Sequence, residues 1–352
     1  MNLLINNLPT RTWNHLGMNE ALVKLDGVFE NNSPEADYDE NQVLWTRNGK
    51  GFPQGAQADL TPVLGSVLTD YAGTPQGISM EKPLILRYAY GDKDRKASRL
   101  VLHAGENSTL KVLAVLTAEP GAAEECALQI EVYGDKNARI ELSLVQLLSE
   151  SGICVNHIGG ILEDSAHLEL TRLELGAGKL CSGVNLDLRG KESDFHSEIG
   201  YHAKPGQSLD MNYVAVHHGP RTSSLMEING TLEEGSRKVF RGTIDFQKGC
   251  AGAKGTENEN VLLMGDEMVN QTLPVILCKE EDVEGNHGAS IGQLDEKVLF
   301  YLGSRGFSRE AAQSMIAQAR IEAICEKLPD EEIQNQVRKF ESVRGISHGA
   351  LL

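Results

Sequence analysis

Asn137-Ala-Arg-Ile-Glu-Leu142 is followed 28 residues later by Ser165-Ala-His-Leu-Glu-Leu170, and the two stretches share one design. Each opens on a small residue and then alternates apolar with polar side chains. Alternation of period two over four to eight residues marks a strand with one buried face. The texture recurs in Ser108-Thr-Leu-Lys-Val112, Gln207-Ser-Leu-Asp-Met211 and Gly235-Ser-Arg-Lys-Val239. It also runs through Ala127–Tyr133, Val184–Leu188 and Val239–Phe246. Several neighbouring units lie about 28 to 30 residues apart, with one larger gap. Little between Lys82 and Leu277 shows a sustained 3.6 period, so crossover helices are not expected. A loose recurring period is the sign of a stacked array in which each rung buries its apolar edge on the next. The reading is a β-helix-like solenoid, with a β-sandwich as its competitor.

Composition narrows the function. The 352-residue chain carries a formal net charge of -17, which repels phosphate backbones and anionic lipid surfaces. Nucleic acid and membranes are therefore not expected partners. Met1 is followed by an apolar stretch too short and uncharged for a secretion signal, and no apolar run nears the roughly 20 residues that span a bilayer. A cytoplasmic protein is expected. The six cysteines stand singly, with no CxxC, and read as free thiols without a clustered metal site.

On either side of the alternating region the texture changes. Residues 1–85 read as an irregular N-terminal region with short helices, one around Asn19–Leu25, and a strand around Gln42–Trp45. The solenoid core is assigned to residues 86–290, and residues 291–352 read as a helical C-terminal domain. There Asp295 caps a first helix and Ser308 a second, with Glu310 favourably placed in the latter's first turn. Ala312, Met315, Ile316, Ala319, Ala323 and Ile324 form its apolar face; Pro329 ends it, and Asp330 opens a third helix.

Chemical motifs are sparse. Gly176-Ala-Gly-Lys179 lacks the spacing of a phosphate loop and reads as a turn, and no dinucleotide fingerprint or nucleophile elbow is present. His217 and His218 point to opposite faces of a strand, while His196 and His202 would share one. Glu280-Glu281-Asp282 reads as a solvated turn. His287 stands out in Glu284-Gly-Asn-His-Gly-Ala-Ser290, expected between the last strand, Pro274–Cys278, and the first C-terminal helix. A neutral imidazole is a good transition-metal ligand, and the flanking glycines allow close backbone approach.

The stretch from His287 to Arg320 contains His-Gly-Ala, then Leu299-Phe-Tyr-Leu302, then Arg305-Gly-Phe307. This order resembles the C-terminal signature of the SufB/SufD family of iron–sulfur cluster assembly proteins. Val216-His-His-Gly-Pro-Arg-Thr-Ser-Ser224, Gly255-Thr-Glu-Asn-Glu-Asn-Val-Leu-Leu-Met264 and Leu8-Pro-Thr-Arg-Thr-Trp13 also look like family segments. His-Gly-Ala in place of His-Glu-Ala, and Glu259 where a SufB-type chain has cysteine, make the chain look SufD-like.

The resemblance implies a right-handed parallel β-helix with a helical C-terminal domain. It implies a non-catalytic scaffold that pairs with a SufB-type chain, or with a second copy of itself, and docks a SufC-type ABC ATPase. It matches His287 to a histidine of the cluster assembly interface, and gives Cys278 a SufB-like setting as a possible thiol. The helical domain, with Phe300, Tyr301, Arg305, Gly306, Met315 and Ile316, would hold the ATPase. No cofactor bound stably by this chain is expected, only an iron–sulfur cluster transiently at the subunit interface. A β-helix enzyme acting on acidic polysaccharide is the rival from another class; it would carry a secretion signal and a groove of Asp, Arg or Lys.

Overall fold

The computed structural model describes residues 1–11, 16–49, 60–65 and 67–345, so residues 12–15, including the end of the Leu8–Trp13 segment, lie outside the description. The N-terminal elements are β1 (Asn2–Ile5), β2 (Ala21–Lys24), β3 (Glu30–Asn31), β4 (Glu35–Asp37), β5 (Leu44–Gly49) and α1 (Thr61–Leu64). Next come β6 (Thr69–Thr74), β7 (Leu84–Tyr90), β8 (Arg95–Ala104), β9 (Thr109–Ala118), β10 (Glu125–Gly134), β11 (Arg139–Leu147) and β12 (Ile153–Leu162). The stack continues with β13 (His167–Glu174), β14 (Lys179–Leu188), β15 (Asp194–Ala203), β16 (Ser208–His217), β17 (Ser223–Glu233) and β18 (Arg237–Phe246). It ends with β19 (Ala253–Met264), β20 (Val269–Cys278) and β21 (Val283–Gly292), before α2 (Glu296–Ser304), α3 (Arg309–Cys325) and α4 (Glu331–Gly345).

From β6 onward, even strands pair in parallel in one sheet and odd strands in the other, which makes a β-solenoid of about eight turns. In-register partners are 26 residues apart at the shortest, Ile153 on Lys179, and 32 at the longest, Arg237 on Val269. The small residues that open each unit have a backbone reason. Asn107, Asn137 and Ser165 have φ of 57°, 56° and 55°, each two residues before an odd strand. Asparagine enters this left-handed region at lower cost than most residues, so the corners select it. The corner amides also climb the stack, from Asn107 to the Lys136 carbonyl at 3.0 Å and from Asn137 to that of Asp164 at 2.8 Å.

Inward columns of Leu110, Val112, Ile140, Leu142, Leu168 and Leu170 form one continuous core. Parallel pairing in register places like on like, so every rung buries its apolar face on the next. The N-terminal hairpin β1–β2 lies on the outside of the even sheet, where Leu3, Ile5 and Val23 meet Ala127, Val155 and Cys181. Buried Arg241 reaches the Met18 carbonyl at 2.6 Å and Asp210 at 2.6 Å, which fastens the arm. The helix expected around Asn19–Leu25 is thus a strand: alternate burial of Ala21 and Val23 against a flat sheet suits period two.

Helices α3 and α4 pack on the outside of the odd sheet through Ile321, Ile324, Cys325, Leu328, Ile333 and Val337. Asp295 and Ser308 cap α2 and α3 as expected, accepting from the Lys297 and Ala311 amides. The buried stripe of α3 differs from the expected one. Ala317 and Ile321 face the sheet, while Met315, Ala319 and Ala323 are exposed. Alanines on both sides of the helix let two overlapping patterns be drawn, and the larger Ile321, Ile324 and Leu328 decide between them. Among the described residues, no helix is long and apolar enough to cross a membrane.

Candidate functional site

His287 lies inside β21, the last strand, and not in a connection after Pro274–Cys278 as expected. β21 pairs with β19, and β20 with β18; both are the outermost strands of their sheets at this end. Strands in register point corresponding side chains to the same face. Phe240, Ile244 and Phe246 belong to the core, so their partners Thr272, Ile276 and Cys278 occupy the inward columns of β20. Val261 likewise fixes Ile291, Ala289, His287 and Gly285 as the inward positions of β21. His287 and Cys278 therefore both belong to the mouth of the solenoid, one on each sheet. Both are exposed because no further rung stacks on them; Ile291 on the same column is 45% exposed. The Cys278 thiol donates to the Glu280 carbonyl at 2.9 Å, and the other five cysteines are buried free thiols.

One rung below the mouth the interior becomes polar. Lys238 is held by Glu259 and by Thr272 Oγ1 at 3.0 Å, and the Thr272 hydroxyl donates to Glu259 at 2.6 Å. Glu257, in register with His287, is only 2% exposed. Burial, helped by the charge of Glu259 and opposed by Lys238, pushes its carboxyl up to about 8. Deeper still, Arg172 pairs with Glu174 at 2.5 Å and lies over the Tyr213 ring at 5.6 Å. Of these groups the sequence singles out only Glu259, as the residue standing where a SufB-type chain has cysteine. The signal for Glu257 was the repeat itself, since it stands 30 residues before His287, one turn of the solenoid.

Among the described residues, His167 and His196 meet on one carboxylate, Glu169, at 3.3 and 2.9 Å, while His217 and His218 face apart. His217 is buried against the Thr222 and Ser224 hydroxyls at 2.8 and 2.9 Å, and burial, with His218 nearby, takes it down to about 4. His218 faces outward to Asp187 at 2.7 Å. His196 and His202 do share the outer face of β15, each with its own carboxylates: Glu169 and Glu227 for the first, Glu233 and Glu341 for the second. Among the described residues, no group of three or more His, Cys, Asp or Glu side chains is arranged to hold a metal ion.

Next to the mouth, α2 and the start of α3 show apolar side chains to solvent. Phe300 is 79% and Tyr301 55% exposed, with Val298, Phe307 and Met315 also exposed. The Arg305 guanidinium lies 5.0 Å from the Tyr301 ring centre, and Gly306 turns the chain with φ of 92°. Ile316 is half-buried. A groove of about 330 Å³ between α3 and α4 is lined by Met315, Ala319, Ile321 and Val337. Five of the six residues expected to meet a partner thus stand exposed on one small domain.

Comparison with known proteins agrees with this architecture. The family model described as SUF system FeS cluster assembly, SufBD core domain, matches residues 88–320. An iron-sulfur cluster assembly SufBD family protein of Staphylococcus saprophyticus is 23% identical over 271 residues, 76% of this chain and 58% of that protein. A protein of the same description from Staphylococcus epidermidis is 22% identical, and one from Staphylococcus aureus 23%, with the same coverage of each chain. The chain thus spans little more than half the length of these relatives.

Proposed function

The chain belongs to the SufBD family of the SUF iron–sulfur cluster assembly system, and on that premise we propose that it is a non-catalytic, SufD-like scaffold subunit. It pairs through the open end of its solenoid with a SufB-type chain and docks a SufC-type ATPase on its helical domain. The observation that carries this reading is the terminal rung. Two ten-residue strands, β20 and β21, offer unpaired edges, and between them an imidazole and a thiol face a mouth that nothing among the described residues covers. Strand edges of this kind template pairing with another chain. A partner seated there would enclose His287, and an iron–sulfur cluster assembled at the contact would be cargo and not a resident group.

The exposed Phe300, Tyr301 and Met315 suit the second contact, because buried aromatic anchors dominate binding energy at protein interfaces. An ATPase held on α2 and α3 would sit beside the mouth, where its movements could be felt at the scaffold contact. One observation favours a second reading, a self-pairing scaffold: Cys278 and His287 stand at one mouth, so a single type of chain supplies both a soft and an imidazole ligand.

Affinity purification of the full chain from its native lysate tests the proposal. Recovery of an ATPase together with a second scaffold-type chain is expected. An ATPase with only further copies of this chain would establish the self-pairing form, and recovery of neither would overturn both. The His287→Ala variant should keep its partners and lose cluster formation in cells; normal cluster formation would remove His287 from the site.

A further inference from the structure

Glu257 is a buried carboxyl group without a bonded partner among the described residues. Its side chain accepts no hydrogen bond and makes no ion pair among the described residues, and the neighbouring Lys238 ammonium is already bound by Glu259 and Thr272. Buried carboxylates normally find such partners, and one that lacks them calls for an explanation. The fold nevertheless makes room for it. A Cβ built on Gly242, across the interior, would lie 2.0 Å from Glu257 Oε2, so the space beside that glycine belongs to the carboxylate.

Directly above it, in register, stands His287 on the outermost rung. The inward neighbours of His287 along β21 are Gly285 and Ala289, and the residue above Gly242 is Pro274. None of these carries a polar side chain, so on β21 the imidazole is the one metal-binding group that stands in the column over Glu257. Adjacent rungs are about 4.8 Å apart. An ion bonded to nitrogen and oxygen at about 2.1 Å each spans up to about 4.2 Å, a gap closed when both side chains lean slightly toward each other.

We propose that Glu257 and His287 form a two-residue seat for a divalent transition-metal ion of the ferrous type at the mouth of the solenoid. The inference deepens the proposed function and rests on its placement of His287. One nitrogen and one carboxylate oxygen suit Fe(II), Co(II) or Zn(II) better than the hard ions magnesium and calcium. Two donors leave the other coordination positions to water and to the chain that docks on β20 and β21. The seat is therefore half-built in this chain, which accords with the lack of any three-residue group among the described residues. It also gives the Glu257 carboxyl a partner: a bound cation would favour the ionised form that burial disfavours.

The test uses the full chain, free of metal and under anaerobic conditions, titrated with Co(II) alone and followed by its visible ligand-field absorption and by calorimetry. One Co(II) per chain is expected to bind. Glu257→Gln, which keeps the shape and removes the charge, should weaken that binding at least about tenfold, as should His287→Ala. Glu281→Gln, an exposed acid of the nearby corner, should change nothing. Thermal unfolding of each variant confirms that it is folded. If Glu257→Gln binds Co(II) as tightly as the parent while His287→Ala does not, the ion uses the imidazole without the carboxylate: this inference falls and the proposed function stands. Absence of any Co(II) site in the parent chain would overturn the seat outright.

Discussion

The two ends of the solenoid are finished in opposite ways. At the N-terminal end the stack is closed: β4 runs antiparallel on β7 and β5 antiparallel on β6, so the parallel repeat cannot continue. Tyr38, Val43 and Trp45 fold over the first rungs and join the core. The outer strands are poor templates as well. β4 has three residues, two of them acidic, and β5 carries a register shift between Thr46 and Gly49. Short strands, charge and bulges are how proteins blunt an edge. At the C-terminal end none of this is done to β21, a regular ten-residue strand without a charged residue after Glu284. β20 is partly guarded by Pro274, which lacks an amide donor. One chain that caps one end and leaves the other open is built for a partner at the open end.

The largest effects should come from treating the open edge like the closed one. Ala289→Lys puts a charge on the inward column of β21, where a docked strand would bury it unpaired. Complete loss of the partner scaffold chain from affinity purification is expected, while Glu35→Lys on β4 leaves recovery unchanged. Equal loss from both would show that pairing does not use this end. A second contrast concerns packing. Leu142→Ala, in the middle of the core, should cost about 2–5 kcal/mol by denaturant unfolding, the usual range for a buried leucine. Ile291→Ala, on the uncovered terminal rung, should cost less than about 1 kcal/mol in the free chain. A large loss at Ile291 would mean that the mouth is packed in solution by something that covers it.

The contrast between the ends also decides what could be read from the sequence. The middle rungs were legible because most of their inward positions are apolar, as in Leu168 and Leu170 of β13 ahead of the buried Arg172 and Glu174, and because their corners select Asn, Ser or Gly. β21 was not. With no rung above it, its inward positions need not be apolar, and Glu-Gly-Asn-His-Gly-Ala-Ser reads as a loop. Glu257 and Glu259 break the alternation of β19 for a related reason, since the interior near the mouth is polar. His287 stands out by its glycine-flanked setting and is tied to an assembly interface only through its resemblance to a family signature, whereas Glu257 could be found only through the register that stacks it under His287. In the N-terminal arm, Ala21–Lys24 is too short for either period to show, and its strand is imposed by the sheet beneath it.

The smallest expected effect concerns the helical domain, which is held unequally along the same axis. Near the open end α2 buries only Leu299 among its described residues, whereas α4, farther back, is clamped by charge. Buried His202 bonds Glu341 at 2.7 Å and Glu233 at 3.0 Å; Lys204 reaches Glu233 at 2.6 Å, and Arg344 reaches Glu341 at 3.1 Å. Burial disfavours the charged form of His202, but the bonds to Glu233 and Glu341 outweigh it and raise its pKa above 6.5. Burial likewise opposes the charge of Glu233, yet His202 and Lys204 hold it at about 2, below the ordinary 4.5. A raised histidine contributes stability that is fully present below 6.5 and lost as pH rises through its folded value. A depressed carboxylate contributes stability present above 4.5 and lost as pH falls through about 2. The clamp is therefore tightest between about pH 4.5 and 6.5, and amide exchange in α4 should speed up on the alkaline side relative to β13 and β15. His202→Gln keeps hydrogen bonding without the charge; it should cost about 1–2 kcal/mol at about pH 6 and flatten the alkaline rise. An α4 whose exchange, corrected for intrinsic pH dependence, is the same at about pH 6 and about pH 9 would show that packing on the odd sheet holds it without the imidazolium.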